Sequence, residues 1–314
     1  VQSHTVTEDS PLLDYLRKAF PHIPRTRIKH LLKSDVILVN NETANRHDFS
    51  VKKGDEIRIQ KRPVETKVPF KASLGFPIIY EDRDVIVIDK PAGLLTMGTD
   101  KIKIHTAYYK LTEYVRSQDP QKKARIFIVH RIDRDASGLI VFAKTEKAKL
   151  ALQKNWKTAE KKYFAVVQGT PPKPSGTMES YLTEDKFQRV YSTRKSTQSK
   201  FSVTHYRTVE SLGPYTLVEI SLETGRKNQI RVHLADLGYP ILGDKKYGSP
   251  ANPIRRLALH AHLLSFTHPA TGVKKTFKSA LPPGFSKNQL HGASPVPSPP
   301  VARRRWRAVP SLPE

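Results

Sequence analysis

Between Ser73 and Pro283 the chain is a succession of short apolar runs bounded by charged and turn-forming residues. They are Val85 to Asp89, Phe127 to Val129, Leu139 to Ala143, Tyr163 to Gln168, Phe201 to Val209 and Thr216 to Leu222. Runs of this length and alternation predict strands. Helical periodicity is confined to Ile104 to Gln118 and Glu146 to Lys157. A segment this long carries its own core, so residues 73–283 are expected to form one β-rich α+β domain.

The residues before it read differently. Ser10-Pro11 ahead of Leu12, Leu13, Leu16 and Phe20 predicts an N-cap, a proline at the first helical position and one apolar face. After Pro24, the basic residues Arg25, Arg27, Lys29, His30 and Lys33 interleave with Ile28, Leu31 and Leu32, which predicts a second helix with a basic face. Val36 to Val39, closed by Asn40-Asn41, and Glu56 to Ile59, opened by Lys53-Gly54-Asp55, predict strands. A basic helix face taken alone is an ordinary solvated face. The order of these elements, from Leu16 to Ile59, resembles the S4 RNA-binding module. That resemblance makes residues 1–62 a small α/β module and Arg25, Arg27, Lys29 and Lys33 contacts to RNA phosphates, which position a nucleic acid without reading its sequence. Residues 63–72 read as a linker. Residues 284–314, with six prolines from Pro295 onward and Arg303-Arg304-Arg305-Trp306-Arg307, read as a disordered tail.

Charge narrows the partners. In 314 residues there are 54 Lys plus Arg against 29 Asp plus Glu, a formal charge of +25. Such an excess favours a polyanion. With 38% hydrophobic residues a wholly disordered chain is excluded. The chain has no cysteine, which removes disulfides, Cys-ligated metal centres and thiol nucleophiles and fits a cytoplasmic setting. No apolar run approaches the ~18 residues of a membrane helix, and the N-terminus has no secretory signal pattern. Phosphate-binding Gly loops, dinucleotide fingerprints, nucleophile elbows and zinc-protease helices are absent. His260-Ala261-His262 is the nearest feature to a metal pair, and without a third ligand it reads as structural. No metal or cofactor is expected.

The remaining candidate for chemistry is His130-Arg131-Ile132-Asp133-Arg134-Asp135-Ala136-Ser137-Gly138, charged residues between two apolar strands. Such a loop sits at a sheet edge, where a carboxylate is partly desolvated and still reaches a ligand. The bland alternative is that Asp133 pairs with Arg131 or Arg134 and staples the loop. A second cluster runs Glu223-Thr224-Gly225-Arg226-Lys227-Asn228-Gln229-Ile230-Arg231-Val232-His233 and is followed by Gly238-Tyr239-Pro240-Ile241-Leu242-Gly243-Asp244-Lys245-Lys246-Tyr247-Gly248. With Lys162-Tyr163-Phe164-Ala165-Val166, Asp89-Lys90-Pro91-Ala92-Gly93, Leu257-Ala258-Leu259-His260-Ala261 and Phe266-Thr267-His268-Pro269, these motifs resemble the RluA-type pseudouridine synthases.

The resemblance implies a fold and a reaction. The fold is a mixed or antiparallel sheet flanked by helices, and the reaction isomerises a uridine within RNA, without metal or redox cofactor, to its C-glycoside. Large-subunit ribosomal RNA is the expected substrate ahead of transfer RNA, and the protein is expected to act as a monomer. Asp133 takes the place of the family's essential aspartate, acting at the ribose by attack on C1′ or by removal of the C2′ proton. Arg231 falls at the aspartate-pairing arginine, its alternative being a phosphate contact, and Tyr163 at the active-site aromatic, its alternative being a core residue. Arg131 and Arg134 would meet phosphates or wedge where the base leaves, while Leu257 and Leu259 would line an apolar wall or the core. The basic stretch from Lys186 to Arg207, interleaved with Phe187, Tyr191, Phe201 and Tyr206, reads as a surface that tracks phosphates. Ala136 and Asn228 depart from the family's usual Thr and His. Two other classes compete: a non-catalytic RNA-binding factor with the same fold, and a glycoside hydrolase using Asp133 and Asp135.

Overall fold

A computed structural model describes residues 2–33, 36–44, 49–59, 74–99, 102–248, 251–287 and 290. The chain divides into two compact units, Val1–Ser73 and Leu74–Glu314.

In the first unit the elements are β1 (Gln2–Thr5), β2 (Ser10–Pro11), α1 (Leu12–Ala19), α2 (Arg25–Lys33), β3 (Ile37–Val39), β4 (Glu42–Thr43), β5 (Ser50–Val51) and β6 (Glu56–Ile59). An antiparallel sheet has the order β1-β6-β3-β4, and β2 pairs with β5. Leu12, Leu16, Ile28, Leu32, Ile37 and Ile57 form its core. Asn40 and Asn41 both take left-handed backbone (φ 51° and 71°), the conformation a tight hairpin between β3 and β4 requires. The start of α1 corrects the expected cap. Pro11 rather than Ser10 is the N-cap, because Ser10 and Pro11 pair with β5 and the Leu12 N–H donates to the Phe49 carbonyl at 2.7 Å.

The second unit contains β7 (Ile78–Glu81), β8 (Val85–Lys90), α3 (Ala107–Gln118), β9 (Phe127–Ile128), β10 (Ser137–Ala143), α4 (Glu146–Lys154) and β11 (Glu160–Gln168). There follow β12 (Ser175–Glu184), β13 (Val190–Thr193), β14 (Lys200–Ser211), β15 (Tyr215–Leu222), α5 (Gln229–Asp236), β16 (Leu259–Thr267) and β17 (Lys274–Lys278). The spine of its 11-stranded sheet runs β13-β12-β14-β15-β11-β16-β10-β8-β7, with β17 on β16 and β9 on β10. The β10–β16 pair is parallel and the other described pairs are antiparallel, so the sheet is mixed and the domain is α+β.

Local chemistry explains the boundaries. Thr106 and Thr145 cap α3 and α4 by accepting from the Tyr109 and Ala148 N–H groups. Ser137 and Gly138, which the sequence suggests as loop, open β10 instead. Gly138 lies at φ 113° against β16, where a Cβ would come within 2.3 Å of the Ala261 carbonyl oxygen. Helix α5 lacks an amphipathic signature because every residue from Gln229 to Leu234 is buried.

The domain edge expected at Pro283 also moves. Phe285 and Leu290 are buried in the core with Tyr163, Ile230 and Leu257, so apolar side chains past that proline still pack. Residues 63–72 and 291–314, expected as linker and tail, lie outside the described residues.

Candidate active site

Asp133 stands on the loop joining β9 to β10, and the carbonyls of Ile132, Arg134 and Ala136 around it accept hydrogen bonds. Thr96 donates to the Ile132 carbonyl at 3.0 Å, and the Gly93 N–H donates to that of Arg134 at 2.9 Å. Lys90, fully buried at the end of β8, donates to the Arg134 and Ala136 carbonyls at 3.0 and 2.7 Å and to those of Pro91 and Leu94 at 2.9 and 2.7 Å. One ammonium thus ties the Asp133 loop to the turn after β8. Burial lowers its pKa to about 7, against the attraction of Asp135 and Asp133. In the sequence Lys90 shows only as part of the Asp89-Lys90-Pro91-Ala92-Gly93 motif; its hub position depends on carbonyls up to 46 residues away.

Arg231 comes to Asp133 from α5. Its Nη1 donates to Asp133 Oδ2 at 3.3 Å and to Asn228 Oδ1 at 3.2 Å. Its Nε and Nη2 donate to the two carboxylate oxygens of Asp244, both at 2.8 Å. Asp244 is 1% exposed and also accepts the Lys246 and Tyr247 N–H groups at 3.0 and 3.1 Å. The guanidinium therefore lies between two carboxylates. Burial opposes its charge, yet the hydrogen bonds and charges of Asp244 and Asp133 outweigh burial and its pKa is raised. Tyr247 lies over it, ring centroid 5.1 Å from Cζ, while the Tyr247 hydroxyl accepts from Asn228 Nδ2 at 3.1 Å. Asn228 caps α5 in left-handed backbone (φ 53°), which a short polar side chain tolerates. Neither Asp244 nor Tyr247 was singled out from sequence.

The loop-staple alternative for Asp133 does not hold in this geometry. Arg134 pairs with Asp135 at 3.6 Å and donates to the Gly93 carbonyl, whereas Arg131 points to the Met97 sulfur at 3.5 Å. Both arginines are exposed. Tyr163, on β11 beside a bulge between Lys162 and Tyr163, is 8% exposed. Bulges re-aim side chains next to functional sites. Burial raises the Tyr163 pKa and the negative charge of Asp133 adds to the shift, so the phenol stays protonated.

A cavity of about 540 Å³ opens beside Arg231, and Arg134, Gly243, Lys246, Arg256 and Leu257 also line it. Leu257 thus reaches the cavity wall just before β16, while Leu259 is held in the core. In the first unit, Arg25, Arg27 and Lys29 are exposed on α2. The Lys33 side chain lies outside the described residues. Among the described residues no cluster of three metal-ligating side chains occurs and no helix is long and apolar enough to cross a membrane. His260 and His262 instead engage Ser137 and Glu219.

Comparison with known proteins adds to this geometry. The profile of a family described as RNA pseudouridylate synthase matches residues 84–236. Over 284 residues, 85% of this chain and 74% of the relative, it is 34% identical to ribosomal large subunit pseudouridine synthase D of Neisseria meningitidis serogroup A. It is 35% identical over 263 residues, 82% of this chain and 86% of the relative, to the uncharacterized RNA pseudouridine synthase YlyB of Bacillus subtilis. Among solved structures, human RNA pseudouridylate synthase domain containing 4 superposes with a TM-score of 0.56 at 26% identity, over 68% of this chain and 91% of that one.

Proposed function

Because the chain belongs to the RNA pseudouridine synthase family, we propose that it isomerises uridines of large-subunit ribosomal RNA, with Asp133 as the reacting carboxylate. In that reaction the C1′–N1 bond breaks, the uracil turns, a C1′–C5 bond forms, C5 gives up its hydrogen as a proton and N1 takes one. Atoms balance without an oxidant or a co-substrate. The observation that carries the assignment is the contact of Asp133 Oδ2 with Arg231 Nη1 at 3.3 Å, made by a carboxylate that remains 25% exposed and by an arginine that lines a cavity. A group that must reach a ribose needs both a fixed orientation and an open side.

The neighbouring side chains take supporting roles. Arg231 aims the carboxylate. Tyr163 stacks on the extruded uracil, as aromatic rings do where a base leaves its helix. Leu257 supplies an apolar wall with Leu259 behind it, and Arg131 and Arg134, both exposed, meet phosphates around the target. The first unit acts as an S4-like RNA-binding module through Arg25, Arg27, Lys29 and Lys33 on α2. Ribosomal RNA is favoured over transfer RNA by relatives described as ribosomal large subunit pseudouridine synthases, including synthase C of Buchnera aphidicola.

The test is to map pseudouridine in ribosomal and transfer RNA taken from cells lacking the protein, before and after incubation with it. New pseudouridine in the large-subunit RNA is expected. Modification confined to transfer RNA would overturn the substrate, and none in any RNA would overturn the activity.

A further inference from the structure

Six cationic residues line the cavity that opens at Arg231, the partner of Asp133: Arg134, Arg231 itself, Lys245, Lys246, Arg255 and Arg256. Two are paired with carboxylates and a third reaches a backbone carbonyl. Arg231 lies between two carboxylates, Arg134 pairs with Asp135, and Lys246 donates to the Gln188 carbonyl at 2.7 Å. For the other three, Lys245, Arg255 and Arg256, no carboxylate lies within 4.0 Å among the described residues.

Arg256 is the most confined of the three. Its Nη2 donates to Ser137 Oγ at 2.6 Å and its Nε to the Leu257 carbonyl at 3.2 Å. Ser137 Oγ meets His260 Nδ1 at 2.8 Å, His260 Nε2 meets Ser279 Oγ at 3.0 Å, and Ser279 donates to Asp89. A guanidinium only donates and a carboxylate only accepts, so the chain has one direction. Ser137 donates to His260 Nδ1, and Nε2–H donates to Ser279. Every link between Arg256 and Asp89 is neutral, since burial lowers the His260 pKa to about 4. The relay therefore fixes the guanidinium without quenching its charge, and Nη1 has no hydrogen-bond partner among the described residues.

The backbone around Arg256 is also built for close approach. Gly243 is at φ 71°, where a Cβ would come within 2.1 Å of the Arg256 carbonyl oxygen. Arg255 takes left-handed backbone at φ 56°, uncommon outside glycine, and its side chain is exposed at the cavity. An unpaired cation that is half-buried lacks the solvation an anionic ligand would replace.

We propose that Arg256, with Arg255 and Lys245, forms a phosphate subsite that takes one RNA backbone phosphate next to the target uridine. The inference rests on the reading that an RNA uridine enters this cavity. Guanidinium groups bind phosphate through paired hydrogen bonds, and a subsite at fixed distance from Asp133 sets which nucleotide faces the carboxylate.

The experiment uses substrate oligoribonucleotides in which single phosphates flanking the target carry a neutral methylphosphonate. Kd is measured for the full chain and for Arg256→Gln, together with pseudouridine formation on the unmodified oligomer. One methylphosphonate position is expected to weaken wild-type binding by about tenfold and to weaken Arg256→Gln no further. Equal losses for both proteins at every position would overturn the subsite. Should Arg256→Gln lose its fold, the exposed pair Lys245→Ala/Arg255→Ala is expected to blunt the loss at that same position, and an undiminished loss there overturns the proposal. Turnover keeps the two readings apart. Wild-type protein forming no pseudouridine would sink the functional reading, while the Kd pattern still decides the subsite.

Discussion

Two groups of cations differ in what surrounds them. Arg231 is buried against Asp133 and Asp244, whereas Arg25, Arg27 and Lys29 stand exposed along α2 with no carboxylate within 4.0 Å among the described residues. A buried charge is tolerated only when paired, and then it fixes geometry; an exposed one acts at long range and is screened by salt. The first arrangement suits orienting a reacting group, the second suits gathering a polyanion.

The contrast can be broken most sharply at Asp244. Asp244→Ala leaves a buried guanidinium short of one carboxylate and is expected to cost about 3–5 kcal/mol, read as a lower urea midpoint for the second unit. Arg27→Ala should change stability by at most ~0.5 kcal/mol; comparable losses would erase the distinction. The buried rings His233 and His260 give a pH signature in the same unit. Burial lowers both pKa values from 6.5 to about 4, so between those values the unfolded chain takes up protons that the folded one does not. Stability is therefore lost as pH falls through that window, by about 2 kcal/mol per ring between pH 7 and 5. In His260→Gln the pH slope measured by thermal unfolding should flatten accordingly.

Smaller effects concern RNA. Tyr163→Leu removes base stacking of about 1–3 kcal/mol, which predicts a roughly fivefold to hundredfold fall in single-turnover rate, with the fold retained by circular dichroism. Arg25→Glu/Arg27→Glu should weaken RNA binding and flatten the log Kd against log salt plot by ~0.7–0.9 per lost phosphate contact, with chemistry at saturating RNA unchanged. An unaltered salt slope would remove the RNA role from α2.

What the sequence made legible follows range. Strands such as Leu139 to Ala143 show as short continuous apolar runs, and Asp133 is conspicuous as a charge between two of them. Helix α5 escaped because it is buried on all sides from Gln229 to Leu234 and has no polar face to set its period. Arg231 reached Asp133 through resemblance; the 98 residues between them leave no local pattern. The Lys90 hub and the Arg256 relay to Asp89 were unreadable for the same reason. Their partners come together only when β8, β10 and β16 lie side by side.

The central claim is that Asp133 is the reacting carboxylate, and it is tested by releasing tritium from C5-labelled uridine in RNA with wild-type protein and Asp133→Asn. Replacement of C5–H by C5–C1′ sends the label to water. Release by wild type alone, with both proteins binding the RNA within a few-fold, is the predicted result. Release by Asp133→Asn at the wild-type rate would contradict it.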